Sequence, residues 1–322
     1  MSLAVAIQMD VIADIDIEAD STFVLALEAQ RRGHGLLYYL SHELTFRDGR
    51  LYAWAQPLEV RRERGNHFSV GDYQIVDLAA MDVVLMRQDP PFDMAYITAT
   101  HLLEHVHPDT LVVNDPFHVR NAPEKLFVTQ FADFMPPTII SSSKREIFEF
   151  RKAHKDIILK PLFGNGGADI FRITENDENL NALLEMFTRI YREPIMVQRY
   201  LPEIRQGDKR INLLEVKAEG AVNRIPTEGD ARPNIHAGGR AAKAELSARD
   251  RDICEAIGPI LADHGLIFVG IDVIGGYLTE INVTSPTGIQ EIDRFEEISI
   301  ESMIWDAIEA RVAAHPGLRA PE

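Results

Sequence analysis

The run Ile267-Phe268-Val269-Gly270-Ile271-Asp272-Val273-Ile274-Gly275-Gly276-Tyr277-Leu278-Thr279-Glu280-Ile281-Asn282-Val283 is two apolar, β-branched segments joined by Gly-Gly. Such a pattern predicts a hairpin. Acids interrupt both segments, where an unpaired charge would be costly to bury. Glu280 and Asn282 stand two apart on one strand, so they share a face. Two carboxylates and an amide oxygen are hard ligands, suited to Mg²⁺ carrying nucleotide phosphates. Parity decides whether Asp272 joins them. Across a strict two-residue turn it would lie opposite Thr279 and face away. Across a three-residue loop or a bulge it would lie opposite Glu280, and all three oxygens would converge. Metal binding by the trio therefore predicts a non-minimal turn. The bland reading is a set of polar residues on a solvated strand.

Working outward, Ile157-Ile158-Leu159-Lys160-Pro161-Leu162-Phe163-Gly164-Asn165-Gly166-Gly167 is a β-run ending in lysine, then a glycine loop. Glycines let backbone N–H groups converge on oxyanions, and lysine supplies a fixed charge. It is no Walker loop, because Gly-Lys-Ser/Thr is missing. It is no dinucleotide fingerprint, because a strand-like run (Asp169 to Ile173) follows where a helix should open. Met196-Val197-Gln198-Arg199-Tyr200-Leu201-Pro202 is a strand passing into a loop, whose unpaired backbone groups could read an adenine edge. Gly207-Asp208-Lys209-Arg210 offers an acid for ribose hydroxyls and a base for phosphate. Arg224 to Arg240 is polar, glycine-containing and framed by arginines. Loops of this length are functional or disordered, and as a lid this one would carry Arg232. Asn121-Ala122-Pro123-Glu124 has the form of a capping box, with Lys125 in the first turns of the helix it opens.

The 322 residues carry a net charge of −17 and are 46% hydrophobic and 26% charged. That is globular composition, and it excludes global disorder. The acidity argues against coating DNA or RNA, which requires a basic face. It leaves room for a small anion held by local lysines and metal ions. One cysteine permits no intramolecular disulfide and no cysteine-based zinc site. Cys254 falls in a helical pattern and reads as a buried thiol. No run has the roughly 18–20 apolar residues of a membrane span. Leu3 to Ile7 reads as a first strand and not a signal peptide, because no basic region precedes it. Residues 3–9, 38–40 and 81–86 read as strands, and Ser21 to Arg32 as a helix capped by Asp20 or Ser21 and stopped at Gly33. This alternation over the first 120 residues suggests an α/β layer on a largely parallel sheet. Thr138–Ile140, Ile157–Leu159 and Ile195–Val197 read as strands of a second α/β stretch, with a helix from about Lys144.

Taken in order, Lys125, the Lys160 strand and its glycine loop, Gln198–Pro202 and the Asp272…Glu280-x-Asn282 hairpin resemble the motifs of ATP-grasp ligases. Met9–Ile17, Leu85–Asp93, Asp156–Leu162, Gly265–Gly270 and Leu278–Thr287 are similar, almost block for block, to bacterial glutathione synthetases. The resemblance runs from about residue 3 to 312. It implies an α/β (α+β) chain with an ATP-grasp fold. An N-terminal α/β pre-ATP-grasp domain (1–120) would precede a central subdomain (121–201). A C-terminal subdomain (202–313) would carry a lid at about 225–240, and 314–322 would be a tail. The implied reaction joins γ-glutamylcysteine to glycine at the expense of ATP, through an acyl phosphate, giving glutathione, ADP and phosphate.

The resemblance also implies roles. Lys125 and Lys160 would touch the phosphates, with Gly164, Asn165, Gly166 and Gly167 covering them. Gln198, Tyr200 and Leu201 would meet adenine, and Asp208 ribose. Asp272, Glu280 and Asn282 would hold Mg²⁺ or Mn²⁺. Arg210, Arg224 and Arg232 would steady the γ-phosphate and the acyl phosphate. Arg87 and Asp89, with Ser285, Pro286 and Thr287, would meet the peptide. Partners would be those small molecules, with no nucleic acid or membrane, for a cytoplasmic homo-oligomer (tetramer or dimer). Three departures from the family pattern lie on the acceptor side: residues 211–223, Pro233 after Arg232, and Gly288. The alternative is another ATP-grasp carboxylate–amine ligase acting on a different peptide or amino-acid pair.

Overall fold

A computed structural model describes residues 2–164, 166–227 and 239–315. Asn165 and the loop portion with Arg232 and Pro233 lie outside the described residues, as does most of the expected tail. The first sheet contains β1 (Ala4–Gln8), β2 (Gly35–Tyr39), β3 (Leu44–Arg47), β4 (Arg50–Val60), β5 (Phe68–Val70), β6 (Gln74–Asp77), β7 (Val83–Met86) and β8 (Leu111–Val113). Its main order is β3-β4-β2-β1-β7-β8. The β2-β1-β7-β8 portion is parallel, as the alternation suggests. Residues 44–77 correct the expectation of a largely parallel sheet: they form an antiparallel meander paired onto β2 through β4. Helix α1 (Ser21–Arg31) starts where Asp20 accepts a 2.6 Å hydrogen bond from the Phe23 N–H, and Gly33 follows it at φ +82°. Helix α2 (Met94–Leu103) covers the other face: its Tyr96 and Leu103 are buried with Ala6, Val84 and Met86, whereas Phe23 and Leu25 of α1 are buried with Val5, Ile7 and Leu85.

Next come α3 (Pro116–Asn121) and α4 (Glu124–Phe127). Here the expected capping box does not form. Asn121 closes α3, its Nδ2 donating to the Phe117 carbonyl, and α4 begins without a side-chain cap. Glu124 is turned to Lys125 instead. The second sheet is antiparallel, ordered β11-β10-β12-β9: β9 (Thr138–Ser141), β10 (Ile157–Pro161), β11 (Phe171–Ile173) and β12 (Ile195–Arg199). Helices α5 (Lys144–His154) and α6 (Leu180–Ile190) cover one face. Leu180, Leu184 and Phe187 of α6 recur at helical spacing and are buried with Ile157, Leu159 and Val197. Each such side chain contributes roughly 1.5–3 kcal/mol by leaving water.

The third sheet runs β15-β14-β13-β16-β17: β13 (Asp208–Leu214), β14 (Lys217–Ile225), β15 (Arg240–Lys243), β16 (Phe268–Ile274) and β17 (Tyr277–Asn282). Residues 211–223 thus still form a hairpin despite their unusual sequence. Strands β14 and β15 pair antiparallel as far as Ile225 and Arg240. Helices α7 (Ala248–Asp263), α8 (Ile289–Glu296) and α9 (Ile300–Ala314) complete the chain, so Ala314 is helical where a tail was expected. Trp305 of α9 is fully buried and donates its indole N–H to the Leu25 carbonyl of α1, tying the C-terminus to the first sheet's helix layer.

In the β16–β17 hairpin the turn itself is minimal: Gly275 (φ +56°) and Gly276 (φ +80°) make a two-residue connection that other residues would resist. The shift in parity comes instead from a bulge. Val273 pairs with Leu278, yet Asp272 pairs with Glu280, leaving Thr279 as the extra residue. Its hydroxyl donates to the Asp272 carbonyl at 3.1 Å. Asp272, Glu280 and Asn282 therefore share one face.

Candidate active site

The three sheets enclose a cleft of about 820 Å³. Every site residue expected from sequence that lies among the described residues lines it. Strand β10 delivers Lys160, α4 delivers Lys125, β13 and β14 deliver Asp208, Arg210 and Arg224, and β16 and β17 deliver the acid pair and Asn282. The β7 exit brings Arg87 and Asp89, and the segment before α8 brings Ser285 to Thr287.

At the centre four cations and four carboxylates interlock. Arg210 grips Asp272 with two nitrogens, at 2.6 and 3.0 Å. Arg224 bridges Asp272 (2.9 Å) and Asp208 (2.5 Å). Lys125 and Lys160 each stand 3.7 Å from Glu280. Lys125 also pairs with Glu124 and donates to the Gly164 carbonyl at 2.6 Å, which ties α4 to the glycine loop. Asp208, Arg210, Arg224 and Asp272 are each under 10% exposed, so the pairing is obligatory. Burial works against the Asp272 carboxylate, but Arg210 and Arg224 outweigh it and hold its pKa well below the ordinary value. Burial also works against charge on Lys125, and here Glu280 and Glu124 prevail and raise its pKa. For Asp208 burial wins, pushing the carboxyl up to about 7 against the pull of Arg224. Its Oδ1 has no partner among the described residues.

The donor set suits a divalent cation only in part. Asp272, Glu280 and Asn282 offer hard oxygens on one face, and Asn282 Nδ2 lies 3.3 Å from Asp272 Oδ2. No cluster of three acids, histidines or cysteines among the described residues makes a complete cage. Such a trio fits a metal whose remaining ligands are phosphate oxygens and water.

At the β12 exit the Tyr200 N–H is already spent on the Asp156 carbonyl, and the Leu201 carbonyl accepts from the Ile204 N–H. The guanidinium of Arg172 covers the Tyr200 ring at 3.9 Å. The far end of the cleft is acidic. Asp10, Asp14, Asp16, Asp20, Asp89 and Glu291 line it around the buried Arg87. Arg87 donates to the Thr22 hydroxyl (3.0 Å) and the Pro286 carbonyl (2.9 Å), and Ser285 donates to the Arg87 carbonyl. Asp10 Oδ2 accepts from the Asp89 N–H at 2.6 Å.

Sequence reasoning missed Glu124 as a site acid, because an acid three residues after Asn121 looks like a cap. Its only local signal was adjacency to Lys125. It also missed the acidic wall and Asn114. The Asn114 amide donates to the Phe268 and Val283 carbonyls (2.8 and 2.9 Å) and accepts from the Phe268 N–H, pinning both strands of the hairpin.

Comparison with known proteins decides the lineage. The model for the prokaryotic glutathione synthetase N-terminal domain matches residues 3–120, and that for its ATP-grasp domain matches residues 124–297. The chain belongs to the prokaryotic glutathione synthetase family. Glutathione synthetase of Mesorhizobium japonicum is 56% identical over 311 residues, covering 97% of this chain and 99% of that one. The enzyme of Agrobacterium fabrum is 56% identical over 307 residues, 95% of this chain and 96% of its own. Among solved structures, the ATP-grasp ligase PsnB complexed with minimal precursor, Mg and ADP superposes with TM-score 0.61 at 15% identity. That match covers 96% of this chain and 98% of PsnB, and it speaks for the fold alone. Membership makes the chain an ATP-dependent ligase that uses ATP, a divalent metal and small-molecule substrates. No helix among the described residues is long and apolar enough to cross a membrane.

Proposed function

We propose that this enzyme ligates γ-glutamylcysteine to glycine, with Mg²⁺ as the metal. The observation that carries the proposal is the convergence of Lys125, Lys160, Arg210 and Arg224 on Asp272, Glu280 and Asn282 in one cleft, in a chain of this family. The three sheets would act as three parts, over 1–120, 121–201 and 202–313, with the nucleotide between the last two.

A carboxylate is a poor acyl donor. The cysteinyl carboxylate oxygen attacks the γ-phosphorus of ATP, the bond to the β-phosphate oxygen breaks, and ADP leaves. The glycine amine then attacks the acyl phosphate carbon, phosphate departs, and the amine loses a proton. Both steps crowd negative charge together, so catalysis rests on positioning and preorganised cations. Arg210 and Arg224 supply that charge at fixed angles, because Asp272 holds both. Lys125 and Lys160 take the phosphates, with the backbone of Gly164, Gly166 and Gly167 over them. Mg²⁺ bound by Asp272, Glu280 and Asn282 would neutralise phosphate oxygens. At adenine, the Tyr200 carbonyl and the Leu201 N–H are the acceptor and donor left for the ring edge. Asp208 is sealed beneath Arg224, so a ribose hydroxyl reaches it only if that pair opens. The acidic far wall suits the α-ammonium of the donor dipeptide, and Arg87 fixes the Ser285–Thr287 turn that would contact it.

The test is a mass-spectrometric assay with ATP, Mg²⁺, γ-glutamylcysteine and a panel of amines including glycine, following phosphate and ligated product. Glutathione formed with glycine alone is the expected result. Phosphate released with another amine, and none with glycine, would overturn the choice of acceptor.

A further inference from the structure

One buried side chain of β13 has no part in the chemistry above. Asn212 is 1% exposed, and neither its Nδ2 nor its Oδ1 has a partner among the described residues. A primary amide brings two donors and an acceptor, and buried polar groups of this kind find partners in protein or in ordered water.

Its surroundings say where that partner sits. Strand alternation puts Asn212 on the face of β13 that carries Asp208 and Arg210. Its register neighbours are Gly220 on β14 and Gly270 on β16, so no side chain flanks it on either strand. Over Gly220 the space is filled, because a Cβ there would stand 2.3 Å from Ile292 Cγ2. Over Gly270 lies the guanidinium of Arg210. A Cβ on that glycine would stand 3.2 Å from Arg210 Nη1, the nitrogen not used in the Asp272 pair. The third side is Gly288, at φ +99°, where a Cβ would stand 3.5 Å from Arg210 Cγ and 3.9 Å from Asn212 Nδ2. The Asn212 amide and the Arg210 side chain thus both pack against the Gly288 turn, with no other side chain standing between them on β16. Buried water is stable where two or more polar groups converge in this way.

We propose that Asn212 holds a buried water against Arg210 Nη1 beneath the Gly288 turn, and that this water fixes the angle of the guanidinium. Asn212 is then a positioning residue that acts through Arg210. Arg210's part in the chemistry rests on the function proposed above, whereas the water does not.

The test has two arms. The first is a crystal structure of the enzyme with ADP, at a resolution that shows ordered water. It should place one water within hydrogen-bond distance of both the Asn212 amide and Arg210 Nη1. An Asn212 amide bonded directly to protein atoms, with no water there, would overturn the proposal. The second arm compares N212L and N212S with the parent. N212L has similar volume and no polar group, so it should melt no lower than the parent. Its kcat should fall on the order of ten-fold, with KM for ATP unchanged. N212S keeps a hydroxyl for the water and should recover most of the loss. Parent-like kcat in N212L would overturn the positioning role. The crystal arm reads the water whichever peptide the enzyme joins, so a failed ligation assay would count against the substrate and not against the water.

Discussion

The interlocked centre predicts that two neighbouring metal-face acids will fail in different ways when neutralised. Asp272 is 3% exposed and both its oxygens are gripped, by Arg210 at 2.6 and 3.0 Å and by Arg224 at 2.9 Å. In D272N the two guanidiniums remain buried with only Asp208 to balance them. Removing one partner of a buried pair costs about 3–5 kcal/mol, because the charge left behind is uncompensated. For a chain of this size that is roughly 4–7 °C in melting midpoint. Glu280 is different. Its side chain is 18% exposed, and its lysine neighbours stand at 3.7 Å. These lysines are buried too, but the contacts are longer than hydrogen bonds and Glu280 meets the cleft, so the loss should be smaller than for Asp272 and E280Q should melt above D272N. Both variants should lose ligation, since each removes a carboxylate from the proposed metal face. Thermal unfolding followed by circular dichroism, beside phosphate release with γ-glutamylcysteine and glycine, reads both effects. Equal midpoints for D272N and E280Q would refute the account of the buried network. Parent-like turnover by E280Q would refute the metal face.

Three further outcomes follow from named contacts. Burial pushes the Cys254 thiol up to about 12, so alkylating reagents at pH 8 should leave native activity intact and label the cysteine only after unfolding. Burial and then the Glu301 carboxyl push Asp293 up to about 8, so the folded chain keeps a proton that the unfolded chain sheds near 3.8. That contribution to stability is full below pH 3.8 and is lost as pH rises through about 8. D293N still accepts from the Ile300 N–H, so its urea midpoint should gain on the parent's between pH 4 and 8 and level off above; a constant gap would refute this. In G164A the new Cβ would stand 2.6 Å from Pro161 Cγ and displace the carbonyl that holds Lys125. KM for ATP should therefore rise several-fold in steady-state assays while the melting midpoint barely moves.

How much of this was legible beforehand depended on whether a local pattern had one structural meaning. The β16–β17 hairpin did: apolar runs about Gly-Gly fold in only a few ways. Its parity did not, because a bulge at Thr279 restores the register that a longer loop would also give, and threonine is an ordinary strand residue. Residues 50–60 alternate buried and exposed almost without fault, yet the meander was hidden by the strand–helix rhythm on either side of it. Glu124 fitted a cap as well as a site acid, and only tertiary burial separates the two. The same holds for Lys160, Asp208 and Arg224, each of which could have been a solvated surface group.

Burial changes their meaning jointly. Once these charges leave water, each must be matched, and the four cations and four carboxylates around Asp272 and Glu280 do match. A balanced cluster has no surplus positive charge for a triphosphate. Either a carboxyl takes up a proton, as the raised pKa of Asp208 favours, or cations enter with the nucleotide. A divalent metal carried in with the nucleotide is the second route, and it accounts for acids standing where a polyanion is to bind.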